Sequence, residues 1–206
     1  MTFYLGKRCL THEESPETAN MIRNFRSTDN TVMVLGYAKA GSHLTLSILD
    51  QLGVNRIEKL VAGDELISSI PFEYQLQSNQ KAYEIMERRL KATSELLILP
   101  HCHLAPNYFP TNFRGKIIFV ERDARAVAVS AYHMFTKLSS LKPVMDKYQA
   151  NDVNIFAQLM FQNKLWVGRI EDYNNAWKKH FDKKPYSVLF LKYEGNLCTY
   201  RFRLSK

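Results

Sequence analysis

The 206-residue sequence carries a formal net charge of +8, and 46% of its residues are apolar. That length suits one domain with a sizeable core. The composition excludes collagen-like and low-complexity chains, and no apolar run is long enough to span a bilayer.

Cysteines at positions 9, 102 and 198 are widely spaced and odd in number, which argues against a disulfide framework and for a reducing, cytoplasmic compartment. The first residues show neither a long apolar stretch nor a small-residue cleavage site, so no secretory signal is expected. The positive charge fits two kinds of partner, a nucleic acid or a small polyanion drawn into a cleft. The basic residues are scattered, with the densest patches at 178–184 and 199–206, and no zinc-finger, homeodomain or RNA-recognition spacing is present.

Residues 1–30 are polar and weakly patterned, and read as an irregular leader with a short helix near Pro16–Phe25. Residues 31–206 read as a single domain. Its first strand is "TVMVLGY" (31–37), followed by a helix on which Leu44, Ile48, Leu49 and Leu52 share one face. An amphipathic helix over 83–92 precedes a strand at 94–100 and a second strand at 116–122. Asp123 is a good N-cap for a helix over 124–135. Residues 136–153 read as a long mobile connection. Helical segments follow at 156–164 and 166–180, with Trp166 and Trp177 in the core, and a last strand at 186–193. Strands that alternate with helices and read as continuous apolar runs indicate an α/β fold with a mainly parallel sheet.

The loop Gly36-Tyr37-Ala38-Lys39-Ala40-Gly41 lies between the first strand and its helix. Such a turn aims backbone N–H groups and the positive end of a helix dipole at one spot, where an anion belongs. The Gly-x4-Gly spacing fits a P-loop in a three-layer α/β/α fold, but Ser42-His43 replaces the Lys-Ser/Thr pair that holds magnesium. Lys39 stands inside the loop instead. The expected ligand is therefore an anion that needs no magnesium, which weakens the reading as a P-loop kinase.

In an open parallel sheet, ligands gather beyond the carboxyl ends of the strands. Four strand ends deliver polar groups there: Lys39 and Ser42, His101 and His103, Arg122, and Tyr193 with Glu194. The alternation His101-Cys102-His103 puts both rings on one face, as metal ligands or with one as a general base. A metal would need further ligands, and no second cluster has suitable spacing. Arg122 and Ser130, two turns into the following helix, can both donate to one phosphate.

Taken together and in order, these motifs resemble the cytosolic sulfotransferases. "GYAKAGSHLTLSILDQL" (36–52) is similar to the family's 5′-phosphosulfate loop, Tyr-Pro-Lys-Ser-Gly-Thr-Thr-Trp. "SIPFEY" (69–74) is similar to its Pro-Phe/Trp-x-Glu gate, and "HLAPNYFP" (103–110) to its His-Leu-Pro segment. "FVERDARAVAVSAYHMF" (119–135) is similar to its 3′-phosphate segment, and "VLFLKYEG" (188–195) to its Tyr-Glu-Asp strand. The resemblance spans residues 31–197.

It implies a donor, 3′-phosphoadenosine 5′-phosphosulfate (PAPS), which leaves as 3′,5′-bisphosphoadenosine (PAP). The acceptor would be a hydroxyl or amine of a small molecule, not a nucleic acid or a membrane. Lys39 and His103 would be catalytic. Lys39, Ala40, Gly41, Ser42, His43, Leu44, Arg122, Ser130 and Tyr193 would bind the cofactor. Phe72, Tyr132 and His103, with Met134 and Phe135, would line the acceptor pocket.

The departures are Ala38 for the loop proline, Ala40 for its serine, His43 for a threonine and Leu44 for the tryptophan set against the adenine. Ala126 replaces an aspartate, and His101-Cys102 replaces Lys-Thr. The family's later Arg-Lys-Gly-x-x-Gly-Asp-Trp-Lys segment has no counterpart in these residues, so the domain reads as short at its C-terminal end. A nucleotide-binding module with weak or no catalysis is the alternative reading.

Overall fold

Six consecutive buried residues, Thr31–Gly36, form β1, the central strand of the sheet. Successive side chains of a strand face opposite ways, so burial of all six means both faces of the sheet are covered. The computed structural model describes residues 16–57, 71–75, 81–165, 168–184, 186–194 and 201–203.

The other strands are β2 (Asn55–Arg56), β3 (Leu97–Ile98), β4 (Lys116–Glu121), β5 (Ser187–Lys192) and β6 (Arg201–Arg203), in the order β2-β3-β1-β4-β5-β6. The first five run parallel, and β6 adds an antiparallel edge. The helices are α1 (Pro16–Asn24), α2 (Ser42–Gln51), α3 (Ala82–Lys91), α4 (Ala124–Lys137), α5 (Lys142–Lys147), α6 (Val153–Phe161) and α7 (Ile170–Lys183). This is the α/β architecture with a mainly parallel sheet that the sequence indicates.

Register decides where the loops go. Gly36 pairs with Val120, and Glu121 with Lys192, so β1, β4 and β5 end nearly flush. The spacing is tight at Gly36, where a Cβ would stand 2.7 Å from the Val120 carbonyl oxygen. The strand expected at 94–100 shrinks to two residues. Its pairing with β1 resumes through the Leu35–Cys102 bridge, where the Cys102 N–H donates to the Val34 carbonyl and the Gly36 N–H to the Cys102 carbonyl. That bridge sets the two histidines, on either side of Cys102, level with the last residues of β1. β2 and β6 are too short to leave a periodic signal in the sequence.

Asp123 caps α4 as expected, accepting from the Arg125 and Ala126 N–H groups. Asp152 caps α6 in the same way. Residues 16–30 pack rather than trail, since Ile22 and Phe25 belong to the core.

Two expectations change. On α2 the core-facing residues are Thr45 and Leu46, with Leu49 partly buried against the core, whereas Leu44, Ile48 and Leu52 are exposed. The strand-loop junction fixes the phase of this helix, and that phase overrides its apolar stripe. The segment 136–153 is not an open connection: it holds α5, whose first turn contains Pro143, and buries Leu141, Met145 and Ala150. Trp166 lies outside the described residues.

Trp177, on α7, is fully buried as expected. Its ring meets Phe109 edge-on at 5.0 Å, and its Nε1 donates to the Leu104 carbonyl at 3.0 Å. That bond ties α7 to the segment just after His103. Trp177→Ala removes the ring and leaves the Leu104 carbonyl unpaired. We expect a loss of about 3–5 kcal/mol of stability, read from urea unfolding.

Candidate functional site

The loop after β1 is shaped by two left-handed residues, Lys39 (φ 69°) and Gly41 (φ 121°). The Ala40 N–H donates to the Tyr37 carbonyl at 2.9 Å and closes the turn. Gly41 is the N-cap of α2, and no side chain caps that helix. The first turn of a helix leaves N–H groups without intrahelical partners, and these suit an anion. Ser42 Oγ is buried and has no hydrogen-bond partner.

A glycine is required at position 41. Tyr193, at the end of β5, lays its ring against it so closely that a Cβ would overlap the ring. Tyr193 is held in turn by its N–H bond to the Glu121 carbonyl at 2.8 Å. The Arg122 guanidinium lies over the Tyr193 ring, with Cζ 4.0 Å from the centroid. Its Nη1 donates to the Lys39 carbonyl at 3.0 Å. Its Nε is buried without a hydrogen bond, with Glu194 Oε1 3.9 Å away. Burial, and secondly the Arg122 charge, lowers the pKa of the Lys39 ammonium.

On the other side of the loop stands a row of imidazoles. The His43 ring is 4.7 Å from that of His101, which is 4.9 Å from that of His103. His103 Nδ1 lies 2.7 Å from the Gly36 carbonyl oxygen. A carbonyl oxygen only accepts, so Nδ1 carries the proton. The Glu73 carboxylate accepts the His103 backbone N–H at 3.1 Å.

Burial chiefly pushes the His103 pKa down to about 4. The His43 and Lys39 charges add to this, and the Gly36 bond opposes it. His101 is pushed down to about 2, by burial first and then by His103, His43 and Arg56. His43 is lowered by burial, Lys39 and Arg56. At neutral pH, His103 is therefore an uncharged imidazole with a free lone pair on Nε2, the arrangement of a general base. Among the described residues, no group of three or more His, Cys, Asp or Glu is arranged to hold a metal.

Other candidate residues lie elsewhere. Ser130 is half-buried on α4, while Arg122 is engaged with the loop. Leu44, next to His43, is exposed at the start of α2. Phe72 is fully buried, stacked on Tyr83 at 4.9 Å and edge-on to Phe25 at 5.0 Å. Its backbone N–H donates to the His101 carbonyl at 2.7 Å, so it props the histidine segment from behind. Tyr132 donates its hydroxyl to the Asn151 carbonyl at 2.9 Å, Met134 is half-buried, and Phe135 packs on Phe156 in the core. Glu73 and the Gly36 carbonyl, which hold His103, were not singled out in the sequence. Glu73 stands in the gate-like segment and Gly36 opens the loop, but their contacts with His103 span 30 and 67 residues, and no local pattern encodes them.

A parallel sheet, a glycine-bounded loop with a half-buried lysine, and a neutral histidine tied to that loop together define an α/β domain with its polar groups gathered at one sheet edge. The model of the sulfotransferase domain matches residues 29–195, and the chain belongs to that family. It is 29% identical over 179 residues to the amine sulfotransferase of Oryctolagus cuniculus, covering 83% of this chain and 52% of the relative. It is 26% identical over 175 residues to sulfotransferase 1B1 of Canis lupus familiaris, covering 84% of this chain and 56% of the relative. The chain thus spans about half the length of the curated relatives it matches.

In fold it is similar to mouse sulfotransferase SULT7A1 complexed with PAP (TM-score 0.61, 20% identity, 87% of this chain and 57% of that one). It is also similar to retinol dehydratase in a complex with retinol and PAP (TM-score 0.53, 20% identity, 88% and 59%). Sulfotransferases use PAPS as sulfate donor. Among the described residues, no helix is long and apolar enough to cross a membrane.

The two lowered histidines make stability depend on pH. The unfolded chain takes up protons near pH 6.5, while His103 and His101 resist to about 4 and about 2. Their contribution is complete above pH 6.5 and is lost as the pH falls below it. We expect the unfolding free energy to drop by about 1.4 kcal/mol per pH unit for each such histidine. His103→Gln should flatten the slope between pH 6 and 4 in denaturant titrations.

Proposed function

We propose that this domain binds PAPS at the 36–42 loop and transfers its sulfuryl group to the hydroxyl or amine of a small acceptor. The observation that carries this reading is the 2.7 Å contact between His103 Nδ1 and the Gly36 carbonyl. One hydrogen bond fixes the base against the first residue of the anion loop and leaves Nε2 free to face an incoming nucleophile.

The residues present suit the donor. The uncapped start of α2 and the unpartnered Ser42 hydroxyl fit its 5′-phosphate. The Arg122 guanidinium, whose Nε makes no hydrogen bond, suits a second anion, with Ser130 on the adjacent helix, and Tyr193 offers a ring to the adenine. Bound there, PAPS supplies an activated sulfuryl group whose leaving group is the phosphate oxygen of PAP.

Each residue then has a defined task. His103 Nε2 takes the acceptor's proton as its oxygen or nitrogen attacks. Lys39 places positive charge on the departing oxygen. Its lowered pKa follows from partial desolvation, and the same desolvation strengthens its attraction for charge developing beside it. The loop N–H groups hold the phosphate in line, so positioning and electrostatics carry the catalysis. A sulfuryl group bears less charge than a phosphoryl group, and fixed donors suffice for it.

His103 would give the acceptor its polar contact, with Phe72 propping the histidine segment from behind. A cytoplasmic setting supplies both donor and small acceptors.

Transfer of labelled sulfate from PAPS to a phenol, amine and sterol panel tests the activity. Lys39→Ala should lower kcat by about 10²–10³. His103→Ala should lower it by about 10²–10⁴. Because the base must be unprotonated, kcat/KM should stay level down to about pH 5 and fall below that, as His103 titrates near 4. Wild-type turnover no greater than that of both variants sinks the catalytic reading, and calorimetric binding of PAP would then mark a nucleotide-holding module.

A further inference from the structure

Lys39 has a conformation its side chain disfavours. Its φ of 69° lies in the left-handed region, and it is not a glycine. Such a residue persists where its surroundings over-determine it. The determining contacts form a closed circuit. The Lys39 carbonyl accepts from Arg122 Nη1 at 3.0 Å, and the Arg122 guanidinium lies over Tyr193 with Cζ 4.0 Å from the ring centroid. The Tyr193 ring rests on Gly41, two residues after Lys39. The strand register sets both outer members, since Arg122 follows β4 directly and the Tyr193 N–H bonds to the Glu121 carbonyl. Glu194 steadies the same corner, with one oxygen 3.9 Å from Arg122 Nε and bonded to the Asp123 N–H at 2.8 Å.

We propose that Arg122 is a positioning residue for Lys39: by holding its carbonyl, the arginine keeps the anion loop in its working shape, apart from any anion it meets directly. An arginine that served only a second phosphate would have no reason to spend a donor on the loop backbone. The nucleotide part of this inference rests on the proposed function, and the protease part does not.

Two measurements on Arg122→Ala test it. The first is native-state trypsin digestion, following the peptide that ends at Lys39. The scissile bond begins at the very carbonyl that Arg122 holds, so cleavage between Lys39 and Ala40 should quicken about tenfold, the size expected for loss of a hydrogen bond from a charged donor. The second is calorimetry with adenosine 5′-monophosphate, which has no 3′-phosphate. Its affinity should also fall about tenfold, although nothing on this ligand requires Arg122 as a direct contact.

Tyr193→Leu keeps the arginine's charge and removes its platform. It should likewise speed the cut at Lys39, and it decides the matter if Arg122→Ala does not fold. An unchanged cleavage rate overturns the proposal. So does a full loss of PAP affinity beside unchanged monophosphate affinity, because that pattern assigns Arg122 to the 3′-phosphate alone. If wild-type protein binds neither nucleotide, the sulfotransferase reading fails, and the cleavage rate still decides whether Arg122 positions the loop.

Discussion

The parallel pairing of β1 with its two neighbours is the constraint on which the site depends. β1 is hydrogen-bonded on one side to β4 and on the other to β3 and the Cys102 bridge. Parallel strands end on the same edge of a sheet, so the residues that follow them meet there. Lys39, His103, Arg122 and Tyr193 converge for that reason alone. They come from four stretches of chain with no local tie between them. The Gly36–Val120 pairing is close enough to exclude a side chain, which keeps β1 and β4 in step up to the loop.

Around that edge the protein gathers positive charge and then prevents its histidines from adding more. Lys39, Arg56 and Arg122 are permanent cations or nearly so, and each disfavours protonation of a neighbour. Burial acts in the same direction and is the larger cause for every group in the cluster. The result is a cluster in which the lysine and all three imidazoles are pushed toward their neutral forms, His101 and His103 furthest. A positive field without imidazolium suits chemistry that needs a base next to a developing anion. The Glu73 carboxylate is used on the backbone of His103 rather than on its ring, which orients the residue without pairing Nδ1 to an acid.

Much of the frame was legible in the sequence because it rests on local signals. The runs at 31–37, 116–122 and 186–193 are apolar and β-rich, and Asp123 precedes a helix it caps. The glycine-bounded loop was legible from its spacing. The stretch 136–153 misled because Lys, Ser and Gln dilute its pattern, while Leu141 and Met145 bury their side chains through contacts with the rest of the fold. The stripe Leu44-Ile48-Leu52 misled in the opposite sense. It has helical spacing and faces outward, since the loop geometry at Gly41 sets the rotation of α2 before packing can choose it.

What the sequence by itself determined is the kind of domain and the chemical types at the strand ends: a loop lysine, a pair of histidines, an arginine before a capped helix, a tyrosine after the last long strand. Residue type and spacing are enough for that, because backbone propensity and the alternation of side chains act over a few residues. Only the tertiary structure decided that His103 leans on the Gly36 carbonyl, that Arg122 reaches the Lys39 carbonyl, and that Phe72 is packed in the core. Those contacts join positions up to 83 residues apart, and strand register, which no short window of sequence encodes, brings them within bonding distance.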